Sequence, residues 1–207
     1  MDAGKLFTVN LVPGQQVYNE PLYNRDNVEY RSWNPYKSKL AAAIKNGLTI
    51  CPIKTNSNVL YLGAATGTTV SHISDIASAG VIYAVEVSTG AMRKLLIVSR
   101  QRHNIIPLLA DANTPSNFET IIGSIDVVYQ DISQSNQVDI FYKNMTKFDA
   151  QHGIIMVKAR SIDVSRNPRQ IFTDVSLQLQ QHFSIIASVP LEPFSRDHQA
   201  IVIHNPR

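Results

Sequence analysis

With 207 residues, 44% of them hydrophobic, the chain can bury roughly 70% of its unfolded surface as one main domain with room for an appendage, and it needs no covalent staple. The single cysteine, Cys51, excludes an intramolecular disulfide and fits a reducing compartment; no apolar span is long enough for a membrane, and Met1-Asp2-Ala3-Gly4-Lys5 is not the start of a signal peptide, so a cytoplasmic protein is expected. A net charge of +3 is too small to hold a polyanion unaided, so a nucleic-acid partner would have to be delivered by something else.

In chain order, residues 1–35 lack helical periodicity and are rich in Pro, Gly, Asn and Tyr. Short apolar pieces at 6–9, 12–14, 16–18, 21–23 and 28–30 read as strands and turns of a small antiparallel appendage. Such an appendage serves either as a docking surface or as a lid over a hydrophobic sheet edge. Pro35 and its neighbours are expected to start a helix, with Leu40, Ala43, Ile44 and Leu48 on its buried face and Lys37 and Lys39 on different faces. Residues 1–50 therefore read as a β appendage with a linking helix, and 51–207 as the main domain.

Beyond this point strands and helices alternate. Val59-Leu60-Tyr61-Leu62 is a near-continuous apolar run, as in a parallel strand buried on both faces. Val70, Ile73 and Ile76 mark a helix ending near Gly80, followed by a strand at 81–85. Met92, Leu95 and Leu96 mark a second helix, with strands at 105–109 and 125–129 after it. Val138, Phe141, Tyr142, Met145 and Phe148 recur at three and four, an amphipathic helix. A strand at 153–157 delivers Lys158, and Ile171, Phe172, Val175 and Leu179 make a helix with Pro168 in its first turn. Two strands, 185–189 and 200–203, follow without a helix between them, joined by a loop holding Asp197 and His198. The pattern predicts an α/β fold with a mostly parallel seven-stranded sheet and one antiparallel strand near its edge.

The loop after the first of these strands, Gly63-Ala64-Ala65-Thr66-Gly67-Thr68-Thr69, suggests a ligand site. Gly63 is expected to turn the backbone sharply, and Gly67 to let a ligand approach the main chain. Ala65 breaks the G-x-G-x-x-G pattern and no Gly-Lys-Ser/Thr follows, so a pyrophosphate fits poorly. Glu86, about 20 residues beyond Gly67, stands where a carboxylate accepts both hydroxyls of an adenosine ribose. Asp111 and Asp131 end the next two strands, so three strands deliver acid to one sheet edge. S-adenosylmethionine suits that edge, having a ribose, no phosphate, and cationic ammonium and sulfonium centres. A Rossmann-like S-adenosylmethionine-dependent methyltransferase fold is expected. No Cys/His spacing suggests a metal site.

Five stretches point further: Tyr30-Arg31-Ser32-Trp33-Asn34-Pro35 with Ser38-Lys39-Leu40-Ala41-Ala42-Ala43; Leu60-Tyr61-Leu62-Gly63 through Thr69; Asp131-Ile132-Ser133-Gln134; Val157-Lys158-Ala159-Arg160-Ser161-Ile162-Asp163; and Glu192-Pro193-Phe194 followed by Asp197-His198. Together they resemble the fibrillarin family, the methyltransferase subunit of box C/D RNA-guided particles, over nearly the whole chain. Eukaryotic members carry a Gly/Arg-rich tail that this chain lacks, so it resembles the archaeal form. It departs from the family at Ala64-Ala65-Thr66, at Gln130, where an acid is usual, and at Ala159, where a serine is usual.

Gly63, Ala64 and Ala65 of the glycine loop are candidates for cofactor binding, and the resemblance implies the same for Thr68, Thr69, Glu86, Val87, Asp111, Ala112, Asp131, Ile132, Ser133 and Gln134. It also implies a Lys-Asp-Lys-His catalytic set at Lys39, Asp131, Lys158 and His198. Its implied partners are a Nop-domain scaffold protein, a kink-turn-binding ribosomal-protein-like subunit, a box C/D guide RNA and target ribosomal and transfer RNA. Arg160, Arg166 and Arg169 are candidates for contacts with the RNA backbone.

A ribose 2′-hydroxyl is a very weak acid while a sulfonium methyl is a strong electrophile, so the enzyme must align the reacting atoms and accept a proton. Lys158 is the candidate for orienting the hydroxyl and, when neutral, taking its proton. Lys39 and exclusion from water lower its pKa, while Asp131 raises it and holds the amine. His198 is the candidate for touching the ribose or phosphate of the target nucleotide. Two other readings stand beside this one: a non-catalytic structural subunit of the particle, and a methyltransferase acting on protein.

Overall fold

The N-terminal segment forms a sheet of its own. In the computed structural model, which describes residues 4–206, β1 (Leu6–Val9), β2 (Leu22–Arg25) and β3 (Val28–Trp33) pair antiparallel in the order β1-β3-β2. Residues 1–3 of the N-terminal unit, and Arg207, lie outside the described residues. Asp26 and Asn27 join β2 to β3 at left-handed φ values of 51° and 62°, a two-residue turn that Asp and Asn tolerate. The pieces at 12–14 and 16–18 are turns rather than strands. Glu20 accepts the N–H of Val17 (3.0 Å) and Tyr18 (2.8 Å), and Asn10 accepts that of Val12 (3.1 Å), so side chains take the hydrogen bonds a ladder would need.

Helix α1 (Lys39–Lys45) does not begin at Pro35. Asn34 closes a turn there, its carbonyl accepting the Lys37 N–H (3.0 Å) and its side chain the Tyr36 N–H (2.9 Å). The helix starts where Ser38 caps it, the hydroxyl accepting the Ala41 N–H at 3.4 Å.

The main domain alternates as expected: β4 (Val59–Leu62), α2 (Thr68–Ile76), β5 (Ile82–Glu86), α3 (Thr89–Gln101), β6 (Ile105–Leu109), β7 (Val127–Gln130), α4 (Gln137–Lys147), β8 (His152–Lys158), α5 (Ala159–Ile162), α6 (Pro168–Gln180), β9 (Ser184–Pro190) and β10 (His198–His204). The seven strands are ordered β6-β5-β4-β7-β8-β10-β9, and β10 alone runs against its neighbours. His198 opens β10 instead of lying in the preceding loop, because it pairs across from Lys158. The one-turn α5 is too short to carry a periodicity. Leu96 and Tyr142, placed on buried faces by spacing alone, are exposed.

Strand β4 pairs with β5 on one side and β7 on the other, so the connections diverge from it and open a crevice at its C-terminal end. Val59 and Tyr61 pack in one buried cluster with α1, α2 and α3, Leu60 and Leu62 in another with α4 and α6. Burial on both faces is why the run shows no polar alternation. Trp33 and the alanines of α1 belong to the first cluster, so apolar packing runs without a break from the N-terminal sheet into the main one.

A buried polar network ties the N-terminal sheet to α2 and to the end of α3. Arg31 of β3 meets Glu20 at 2.6 Å and Asp75 of α2 at 2.8 Å, and Arg102 meets the other oxygen of Asp75 at 2.6 Å. Thr8 of β1 donates to Asp75 (2.6 Å), and its oxygen lies 2.8 Å from His72 Nδ1. Burial first, then Arg31 and Arg102, push His72 down to about 2, so the imidazole is neutral.

Candidate active site

The crevice is a cleft of about 330 Å³ between the loops that leave the strands. Gly63 and Ala65 line it from β4, Glu86 and Val87 from β5, Asp111 and Ala112 from β6, and Asp131 through Gln134 from β7, with Lys158 at its rim. Gly63 has φ 81°, and a Cβ there would lie 2.7 Å from the Asp131 carbonyl oxygen, so only glycine lets β4 end so close to the next loop. Gly67, at φ 92°, plays a different part from the one expected of it. A Cβ there would meet Leu95 and Val98 of α3 at 3.1 and 3.3 Å, so α3, not a ligand, occupies the space beside it. Ala64, Thr68 and Thr69 lie outside the cleft lining; Ala64 is buried, and Thr69 donates to Ser38 at 3.0 Å, joining α2 to α1.

Glu86 is half committed to the loop. Its two oxygens accept the N–H of Ala65 and of Ser88, each at 2.7 Å, leaving lone pairs on both for hydroxyl donors. Asp111 accepts the backbone and side-chain N–H groups of Asn113, both at 2.9 Å, and those bonds hold its carboxyl below the usual range. With Asp131, these residues set three carboxylates around the cleft. That wall fits a nucleoside carrying cationic groups and repels phosphate.

At the rim, Asp131 lies between two amines. Its Oδ2 is 3.0 Å from Lys39 Nζ and its Oδ1 2.7 Å from Lys158 Nζ, with the three side chains only 14%, 22% and 12% exposed respectively. Burial pushes the Asp131 carboxyl up, but Lys39 and Lys158 outweigh it and leave it below the ordinary value. Burial lowers Lys158, Asp131 raises it and Lys39 lowers it again, for a net depression. Lys158 Nζ also donates to the Asp131 carbonyl (3.1 Å) and the Ser133 hydroxyl (2.7 Å). His198 completes the set from the neighbouring strand, its Nδ1 2.5 Å from the Arg196 carbonyl. Burial lowers His198; the Arg196 bond opposes this, and Lys39 and Lys158 add to the lowering. All four residues of the expected catalytic set thus converge, from α1, the loop after β7, β8 and β10.

A family model described as fibrillarin matches residues 1–206. The chain belongs to the fibrillarin family. A fibrillarin-like rRNA/tRNA 2′-O-methyltransferase of Methanococcus maripaludis is 45% identical over 201 residues, covering 96% of this chain and 87% of the relative. The solved structure of Aeropyrum pernix fibrillarin in complex with natively bound S-adenosyl-L-methionine is 41% identical, with a TM-score of 0.89 over 96% of this chain and 88% of that one. A fibrillarin/Nop5p complex matches at 41% identity and a TM-score of 0.89, covering 96% of this chain and 93% of that one. Gln130, where this chain departs from the fibrillarin pattern, does not line the cleft; it is buried and donates to the Gln137 carbonyl at 2.6 Å. The change therefore leaves the carboxylate wall intact.

Two of the three arginines expected at the RNA, Arg160 and Arg166, pair with acids of the chain itself. Arg160 pairs with Asp197 at 3.0 Å and donates to the Val164 carbonyl at 2.7 Å, bracing the turn before His198. Arg166 pairs with Asp174 at 2.5 Å, and Arg169 is exposed on the first turn of α6. Two residues of the site escaped sequence reasoning. Ser38 carried a usable signal, a hydroxyl residue directly before a helical run. Gln137 carried none, since nothing local marks a glutamine as a contact of a distant strand end.

Proposed function

We propose that this chain is the catalytic subunit of a box C/D guide-RNA particle and methylates the ribose 2′-hydroxyl of ribosomal and transfer RNA. The observation that carries the reading is Asp131 held between Lys39 and Lys158 at the rim of a cleft walled by three carboxylates. The cleft residues fit S-adenosylmethionine, which when bound supplies a methyl group already activated on a sulfonium. Glu86 is placed for the ribose hydroxyls, and Asp131 for the positive charge.

The protein's own work is orientation and proton transfer. Asp131 and Ser133 fix the Lys158 amine, which orients the 2′-hydroxyl and accepts its proton as the new O–C bond forms. Burial and Lys39 lower the pKa of that amine against the pull of Asp131, and His198 meets the target ribose or its phosphate. The small net charge fits a subunit whose RNA is delivered by partners: a Nop-domain scaffold, a kink-turn-binding protein and the guide RNA. The matched relative comes from an archaeon, and we place the particle in the cytoplasm.

The test is a methylation assay on a short target RNA with labelled cofactor, omitting scaffold, kink-turn protein or guide in turn. Transfer should require all of them, and Asp131→Ala or Lys158→Ala should abolish it without loss of assembly. Wild-type rates in either variant would remove the catalytic assignment.

A further inference from the structure

We infer that Gln137 is a positioning residue for Lys158, standing in for a strand residue that β7 lacks and tying the strand end that carries the amine to the cofactor loop; this rests on the reading of Lys158 as proton acceptor. Strand β7 ends at Gln130, opposite Ile155, but β8 continues to Lys158. On its other side Lys158 faces His198, yet its backbone N–H and C=O turn toward the space where β7 has run out.

Gln137, the first residue of α4, fills that space. Its Oε1 accepts the Lys158 N–H at 2.9 Å and its Nε2 donates to the Lys158 carbonyl at 3.2 Å, the pairing a neighbouring strand's peptide group would offer. The same Nε2 donates to the Gln134 carbonyl at 3.0 Å, in the loop that lines the cleft. Gln137 is fully buried, and Gln130 donates to its main-chain carbonyl at 2.6 Å, so the residue that carries the carboxamide is itself tied to the end of β7.

One side chain therefore sets the distance between the strand carrying Lys158 and the loop carrying Asp131 and Ser133. A shift on the order of 1 Å at such a site can cost about 100-fold in rate. A carboxamide presents an acceptor and donors side by side, whereas an ionised carboxylate of the same shape presents acceptors alone.

The experiment compares Gln137→Leu, Gln137→Glu and Lys158→Met in the reconstituted particle, reading kcat against pH, cofactor Kd and thermal unfolding. Gln137→Leu should lower kcat by about 10- to 100-fold while cofactor Kd changes far less. Gln137→Glu should approach the wild-type rate at low pH, where its carboxyl is protonated and can donate, and fall behind as pH rises. Wild-type kcat in both Gln137 variants, beside an inactive Lys158→Met, overturns the positioning role alone. Wild-type kcat in Lys158→Met overturns the reading beneath it. Equal losses of kcat and cofactor affinity in Gln137→Leu, with no added pH dependence in Gln137→Glu, would mark a merely structural residue and overturn the inference.

Discussion

Two amines share one carboxylate at the rim of the cleft, and their unequal surroundings separate their roles. Lys158 is the more enclosed, and its pKa is depressed by burial and by Lys39 against the pull of Asp131. If the neutral amine takes the proton, kcat rises with pH through that depressed value. Lys39→Met removes a lowering influence, so the rise should move to higher pH; Asp131→Asn removes a raising one and should move it lower. Lys158→Met should cost about 10²- to 10⁴-fold in kcat. A rise that stays in place in Lys39→Met would rule out Lys158 as the titrating group. Residues at strand ends, Glu86, Asp111 and Asp131, were readable from sequence because each closes or follows an apolar run. Spacing does not say which hydroxyl of that loop faces the cleft: Thr69 bonds Ser38 ahead of α1, and neither Thr68 nor Thr69 lines the cleft.

Helix α1 is seven residues long and would be marginal alone, yet it must present Lys39 from its first turn. Ser38 makes this possible by capping Ala41 N–H while accepting the Thr69 hydroxyl. Ser38→Ala should cost about 1 kcal/mol, a fall of roughly 2–4 °C in Tm for a chain of this size, and should reduce kcat because Lys39 loses its anchor. Calorimetry and the methylation assay check both, and an unchanged Tm would show that the cap carries no weight. Elements with long apolar periodicity, α4 and α6 above all, were found from spacing. The start of α1 was not, because Pro35 suits a turn as well as a first helical position and Asn34 settles the choice through its own hydrogen bonds.

Across the whole molecule, stability depends on the polar network between the N-terminal sheet and the helices it packs on. Arg31, Asp75, Arg102 and Glu20 are buried with their charges matched, so removing one partner strands the others. His72 adds a pH dependence. Its folded value, about 2, lies below the unfolded one near 6.5, so its neutral form favours the fold above about pH 6.5 and this contribution is lost as pH falls. The slope is about 1.4 kcal/mol per pH unit, or about 2 kcal/mol between pH 6.5 and 5. Urea unfolding at those two pH values measures it, and His72→Gln should flatten the difference. A wild-type stability that does not change over this range would contradict a neutral buried His72.

Apolar runs, their spacing and the acids that end them dictate a mostly parallel sheet and the edge where a cationic nucleoside fits, because burial and strand polarity are local properties of the chain. Convergence is another matter. That Lys39 and Lys158 reach opposite oxygens of Asp131, that α3 fills the space beside Gly67, and that Gln137 completes a strand it does not belong to depend on crossovers far apart in sequence. Hydrogen bonds of that kind are chosen by three-dimensional neighbours, and no stretch of residues names its neighbours.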